Sequence, residues 1–130
     1  MAKYARAGVR TVLVCCTGGE EGDLQNPALR EPGQPFHGLD GDGERAMLAA
    51  LRPGELADSA AVIGFHAVEM LGYRDSGMLG SAANDDPRCF HRADFDEAVG
   101  RLVAIVRRER PQVLLTYNED QRGYPHPRPC

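Results

Sequence analysis

The residues best suited to proton transfer stand in the segment GYPHP, close to the carboxyl terminus. Tyr124 and His126 lie two positions apart there, shortly after an apolar run. A phenol and an imidazole can donate a proton or stabilise a developing oxyanion during a hydrolysis. A rigid turn held by the two prolines explains the same residues, and one histidine cannot hold a metal ion alone. Function here therefore depends on which other residues join the pair.

Two further segments carry charged side chains. TGGEEGD (residues 17–23) lacks the GxGxxG spacing, and its carboxylates would repel a phosphate, so it suits sugar hydroxyls or an amine. GYRDSGM (residues 72–78) places Arg74 beside Asp75, which could grip a polar ligand. A plain turn explains the first segment, and a local ion pair explains the second.

The sequence offers little for a metal ion. LDGDGE (residues 39–44) lacks the later ligand positions of a calcium loop, so it predicts a turn. Cys89 and His91 stand two apart but have no second pair of ligands nearby in the sequence.

Alternating helices and strands would position these segments. Runs without polar alternation predict strands buried on both faces, and their alternation with helices predicts a parallel sheet flanked by helices. The polar segments follow the strands, so they converge at the carboxyl edge, where such folds place active sites. The predicted strands are Thr11 to Cys16, Ala67 to Leu71 and Gln112 to Tyr117. The predicted helices are Met1 to Ala7, Glu44 to Gly64 (kinked or restarted at Pro53), and a third that Asp94 caps, whose apolar positions are Phe95, Ala98, Val99, Leu102, Val103 and Val106.

Composition bounds the class of protein. The 130 residues fit one domain, and a net charge of −4 argues against a nucleic-acid partner. No apolar run approaches the ~20 residues of a membrane helix, and the first residues do not form a signal peptide. The four cysteines form no CxxC or secreted framework, so we expect reduced thiols and a cytoplasmic location.

Taken together and in order, the segments resemble the zinc-dependent LmbE/PIG-L N-deacetylases, and most closely the mycothiol branch with its S-conjugate amidases and GlcNAc-inositol deacetylases. The resemblance implies a Rossmann-like α/β fold, with residues 1–130 forming a single partial domain. It also implies a zinc-bound water that cleaves the N-acyl amide of an aminosugar-inositol or mycothiol-type small molecule. The matching stretches are VCCTGGEEGDLQNPAL, LRPGELADSAAVIG, LGYRDSGM, AVGRLVAIVRRERPQVLLTYNED and GYPHP.

The resemblance also implies roles for single residues. His126 matches the histidine that stabilises the oxyanion, and Tyr124 matches its helper. Asp23, Arg52 and Asp75 match the residues that bind the sugar and inositol groups.

The chain departs from the family at both ends. The A-H-P-D-D-E motif and the first strand would precede Met1, and His126-Pro127 continues as Arg128-Pro129 where the family has Asp-His. Positions that match the three zinc ligands and the general base of the family are therefore missing from this sequence. We expect no bound zinc and little hydrolysis by this chain alone. One inserted base near Pro127 would explain the altered ending, and an internal start would explain the beginning. We also expect an exposed sheet edge at which copies could self-associate.

Two alternatives stay open. The chain could be a non-catalytic remnant that binds a sugar conjugate, because Asp23, Asp75 and Tyr124 are present, or it could be the product of a pseudogene. It could also be an unrelated Rossmann-like nucleotide-binding protein, although the acidic segment at residues 17–23 argues against that.

Overall fold

A computed structural model describes residues 1–117 of the chain. They fall into two compact units, of which one comprises Met1–Asp75 and the other begins at Ser76. Each unit has its own buried residues. Those of the first include Phe36, Leu48, Ala60, Leu71 and Tyr73, and those of the second include Ala83, Cys89, Ala93, Ala98 and Ile105.

The first unit contains a two-stranded parallel sheet. Strand β1 (Val12–Thr17) pairs with β2 (Ala67–Tyr73), in a register that runs from Val12 opposite Ala67 to Thr17 opposite Tyr73. Both strands were predicted, and their parallel pairing is confirmed. The prediction that β1 is buried on both faces is wrong, because all six of its residues are only half-buried. Within residues 1–117 the strand has one strand neighbour, so part of its surface stays exposed.

Two helices complete the first unit. Helix α1 (Ala2–Arg6) is short, and α2 (Gly41–Ile63) runs without interruption through Pro53. Asp40 caps α2 by accepting a hydrogen bond from the Gly43 amide at 3.2 Å, so the LDGDGE segment is a helix start. Gly64 ends the helix in a left-handed conformation, with φ of 89°, which glycine adopts without strain.

The long segment between β1 and α2 contains a short 3₁₀ helix, Pro27–Arg30, capped by the side chain of Asn26. Phe36 secures the segment, since its side chain is 1% exposed and its amide donates to the carbonyl of Leu29 at 3.1 Å. This segment is therefore ordered by one aromatic anchor and local hydrogen bonds.

The second unit contains α3 (Phe95–Glu109), preceded by two 3₁₀ turns, Ala82–Asp85 and Phe90–Arg92. Asp94 caps α3 as predicted and accepts from the Glu97 amide at 2.9 Å. The predicted apolar stripe is only partly buried. Ala98 is buried, as is Ile105, which the stripe did not include, whereas Phe95, Val99 and Leu102 are exposed.

The third predicted strand is wrong. Residues 112–117 adopt no strand in the structure. Val113, Leu114, Leu115 and Tyr117 are between 66% and 86% exposed. A strand needs a hydrogen-bonded neighbour, and within residues 1–117 no segment pairs with this one.

The order helix, strand, helix, strand, helix, with the two strands parallel, is that of a partial Rossmann-like α/β fold, as predicted. Among the helices in residues 1–117, none is both long and apolar enough to span a bilayer.

Candidate functional site

The candidate site is built on the turn that follows β1, Gly18–Gly22. The Gly22 amide donates to the carbonyl of Gly19 at 3.3 Å and closes the turn. Gly19 has φ of 77°, a conformation that favours glycine. The turn therefore leaves β1 sharply, at the edge where the sequence places its carboxylates.

Arg52 on α2 covers this turn. A methyl group placed on Gly19 would lie 2.9 Å from Arg52 Nη2, and one on Gly22 would lie 3.8 Å from Arg52 Nη1. The guanidinium thus lies against bare backbone, which the two glycines permit. The structure brings this predicted ligand-binding residue to the predicted polar segment.

The loop after β2 is fastened to the same turn. Glu20 Oε2 accepts a hydrogen bond from the Asp75 amide at 3.1 Å, and Glu21 forms an ion pair with Arg74. The side chains of Glu21 and Arg74 are 13% and 29% exposed, so this pair is largely shielded from water. Two adjacent carboxylates therefore hold the backbone that carries Asp75.

Asp23 lies at the far end of the turn and lines a cavity of about 280 Å³. Helix α2 contributes one face to this cavity, through Gly41, Glu44, Arg45 and Leu48. The helical spacing places Arg52 one turn further along that face.

An ion pair closes one side of this cavity. Arg30 donates to both carboxylate oxygens of Glu44, at 2.7 and 2.9 Å. The hydrogen bond from Arg30 is the main cause that lowers the pKa of Glu44, and the same bond raises the pKa of Arg30. Both groups therefore stay charged near neutral pH.

Two charged side chains of the site are unpartnered. Within residues 1–117, neither the Asp23 carboxylate nor the Arg52 guanidinium forms a hydrogen bond or an ion pair. The other charged groups around the turn are engaged, namely Glu20, Glu21, Arg30, Glu44 and Arg74. Asp23 and Arg52 are thus the groups of this site that can hydrogen-bond to a ligand without breaking an internal contact.

The remaining predicted site residues have different outcomes. Asp75 lies beside the turn through its backbone bond to Glu20. His126 and Tyr124, predicted as the oxyanion histidine and its helper, lie outside the described residues.

In the range 1–117, no three His, Cys, Asp or Glu side chains lie close enough together to hold a metal ion. A hydrolytic zinc site takes three protein ligands, so these residues do not fit one. What they can do is bind and orient a polar molecule.

Comparison with known proteins decides the family. The family profile described as PIG-L, GlcNAc-PI de-N-acetylase, matches residues 1–128. The chain belongs to the PIG-L family. The predicted family is therefore confirmed, and its members include relatives with a more specific name.

Three relatives are named 1D-myo-inositol 2-acetamido-2-deoxy-alpha-D-glucopyranoside deacetylase. They come from Catenulispora acidiphila (numbered 2 there, 47% identical), Acidothermus cellulolyticus (46%) and Thermobifida fusca (44%). In each case the match covers 98% of this chain and 40%, 42% and 43% of the relative, respectively. The chain thus spans about two-fifths of the length of these relatives.

Sequence reasoning missed the structural contacts of four residues in this PIG-L site, namely Glu20, Glu21, Arg30 and Glu44. Glu20 and Glu21 were assigned to a ligand as part of a carboxylate-rich turn, yet they hold Asp75 and Arg74. The pairing of Arg30 with Glu44 joins positions fourteen apart, outside the spacing of any helix or turn. No local pattern signals such contacts, because each depends on where the chain returns.

Proposed function

We propose that this chain carries the aminosugar-binding part of a GlcNAc-inositol deacetylase, whose complete reaction hydrolyses the N-acetyl amide of the sugar. The observation that carries the proposal is the pair of unpartnered charges, Asp23 and Arg52, beside a turn whose other charges are engaged. The names of the relatives supply the substrate class.

The chemistry of the pair suits a neutral ligand rich in hydroxyls. A guanidinium offers only donors and a carboxylate only acceptors, so the pair matches both the acceptor and the donor roles of a ligand's hydroxyl groups. One positive and one negative charge also leave no net charge for the ligand to compensate. Asp75, whose amide is held by Glu20, adds a second carboxylate to the proposal.

Binding is the function assigned to residues 1–117. Zinc-dependent cleavage, the roles of His126 and Tyr124, a cytoplasmic location and a single partial domain are further parts of the proposal, and they rest on the family resemblance. A hydrolytic metal site needs three protein ligands and an open position, which the described residues do not provide.

Isothermal titration with N-acetylglucosaminyl-inositol tests the binding. We expect saturable heat for the natural chain and at least a tenfold loss of affinity for Arg52→Met, because a hydrogen bond from a charged donor contributes about 1.5–3 kcal/mol. Arg101→Met is the matched control. Arg101 lies on α3 and pairs with Glu97, so its replacement should leave the affinity unchanged. A natural chain that gives no heat would refute the proposal.

A second candidate function is ligand binding without hydrolysis. It is favoured by Asp23 and Arg52 standing ready in a part of the chain that does not fit a zinc site. Acetate release, measured with and without added zinc on the same protein that gave heat, separates the two functions. Heat without acetate favours a binding protein, and acetate release favours the enzyme.

A further inference from the structure

The carboxylate of Glu20 makes a separate contact with each of its oxygens. Oε2 accepts a hydrogen bond from the amide of Asp75 at 3.1 Å, across fifty-five positions of the sequence. Oε1 lies over the backbone of Gly18, since a methyl group placed on Gly18 would meet it at 2.7 Å. The half-buried side chain is therefore folded back onto its own turn and reaches the loop that follows β2.

The two glycines at the start of this turn serve different needs. Gly19 has a positive φ, at which alanine is strained. Gly18 has no positive φ, and the atom that an added methyl group would meet is the far end of the Glu20 side chain. Gly18→Ala should therefore keep the fold of the turn and displace the Glu20 carboxylate from its place.

The hydrogen bond from the Asp75 amide fixes the backbone of Asp75 relative to the turn. Hydrogen bonds to a carboxylate are stronger than those between neutral groups. A single methylene separates the Cα atom of an aspartate from its carboxylate, and the side chain takes only a few staggered rotamers. Once its backbone is held, the Asp75 carboxylate is confined to a few places relative to Asp23, which lies on the same turn as Glu20.

We propose that Glu20 is a positioning residue of the sugar site: through the amide of Asp75 it holds the Asp75 carboxylate in place for the ligand, and the bare backbone of Gly18 leaves room for it. Glu20 itself contacts no ligand, because binding at its carboxylate would break the bond to Asp75. The inference rests on the proposed function, in which Asp75 binds the sugar conjugate. It adds to that function a residue that acts through another.

Amide exchange tests the bond without any ligand. In the ¹⁵N-labelled chain, the Asp75 amide proton should exchange with water about tenfold faster in Glu20→Met and in Gly18→Ala, because each variant removes the acceptor. Glu20→Gln keeps an oxygen that can accept, so its rate should stay close to that of the natural chain. Gly100→Ala on α3, where the added methyl group meets no atom within 4 Å, is the matched control for Gly18→Ala. An Asp75 rate that Glu20→Met leaves unchanged would overturn the proposal.

Isothermal titration with N-acetylglucosaminyl-inositol tests the effect on binding. Glu20→Met and Gly18→Ala should each weaken binding about three- to tenfold, the usual size of a coupling between residues in contact. Glu20→Gln and the control Gly100→Ala should bind like the natural chain. In an Asp75→Ala background, Glu20→Met should cause no further loss, because no carboxylate is left to position. Gly18→Ala keeps the test valid even if Glu20→Met fails to fold.

The outcomes separate this inference from the proposed function. A natural chain that gives no heat would refute both. A natural chain that binds, and binds equally well as Glu20→Met and as Gly18→Ala, would overturn the inference and leave the proposed function standing. An equal loss from Glu20→Met with and without the Asp75 carboxylate would also overturn it, since Glu20 would then act on the ligand independently of Asp75.

Discussion

Two apolar runs of the same length, TVLVCC and QVLLTY, have opposite fates. Most of the first lies in β1, which pairs with β2 from Val12 to Thr17 with one irregularity between Cys15 and Thr17. The second remains outside any strand, with Val113, Leu114 and Leu115 at least 66% exposed. Both runs are rich in β-branched and leucine residues, so intrinsic propensity does not distinguish them.

The two runs differ in whether another segment of the chain lies alongside to pair with them. The segment after α2 returns Ala67–Tyr73 alongside β1, and the loops beyond both strands are fastened together by Glu20, Glu21 and Arg74. Within residues 1–117, no segment returns alongside residues 112–117. An apolar run therefore predicts the capacity to form a strand, and the rest of the chain decides whether the strand forms.

The largest expected effect contrasts the sheet with the unpaired run. Leu71→Ala, at a β2 position 6% exposed, should lower the free energy of unfolding by about 3 kcal/mol, because it leaves a cavity. Leu115→Ala, at a position 71% exposed, should change it by less than ~0.5 kcal/mol. Urea unfolding followed by circular dichroism measures both. Equal losses would show that residues 112–117 are packed in solution and would remove the contrast.

The second prediction concerns the fastening of the two loops. Arg74→Met should cost about 2 kcal/mol, because it leaves the Glu21 carboxylate, only 13% exposed, without its ion-pair partner. The control is Arg45→Met, whose partner Asp42 is 93% exposed, and it should cost less than ~0.5 kcal/mol. The same urea titration applies. An Arg74→Met variant as stable as the control would show that the loops do not depend on this pair.

The third prediction compares two glycines. Gly19→Ala should destabilise the chain by about 1 kcal/mol, because alanine at φ of 77° is strained and its methyl group displaces Arg52. Gly54→Ala, within α2 and with no atom within 4 Å of the added methyl group, should stabilise it by about 0.5–1 kcal/mol. Thermal unfolding shows the two shifts of Tm in opposite directions. Shifts of the same sign would contradict the conformation assigned to the turn.

The smallest effect is a pH dependence at β1. Burial raises the pKa of the Cys15 and Cys16 thiols, and at Cys16 the neighbouring Cys15 adds to the rise. The folded chain then holds more protons than the unfolded chain above pH ~8.5, so stability should fall as the pH rises through the thiol range. Changing both cysteines to alanine should flatten this fall. Unfolding midpoints between pH 7 and pH 10 (roughly the range in which thiols titrate) measure it, and an unchanged slope would assign the fall to other groups.

Local patterns predicted much of the fold. The cap at Asp94, the stop at Gly64 and the strands β1 and β2 follow from residues close together in the sequence. The cap at Asp40 was not predicted, because LDGDGE was interpreted as a turn and the helix was expected to begin at Glu44. The sequence left open whether α2 is kinked or restarted at Pro53, and the structure shows one continuous helix. Proline removes one backbone hydrogen bond, and the free energy of this loss does not end a helix of 23 residues. The exposure of residues 112–117 depends on distant segments and has no local signal.

The candidate site also has features that the sequence predicts and features that depend on distant contacts. The polar segments after β1 and β2 do meet, as the carboxyl-edge argument predicted. Which carboxylates stay unpartnered could not be predicted, because Glu20, Glu21 and Asp23 are alike in type and lie within four positions. Only the contacts of Arg74 and of the Asp75 amide separate the two structural carboxylates from the one that is available.

Helix α2 carries both Arg52 and one face of the cavity, so the helix fixes the distance between them along its axis. Glu44 and Arg52 are eight residues apart on α2, which corresponds to about 12 Å along the helix axis at 1.5 Å per residue. Pro53 lies beyond this stretch, so it does not alter the spacing. The Arg52 side chain spans part of this distance, because its Nη1 lies 3.8 Å from a methyl group placed on Gly22, a residue that lines the cavity. One face of α2 therefore carries both a wall of the cavity and, two turns further on, the arginine whose guanidinium reaches back to the cavity rim.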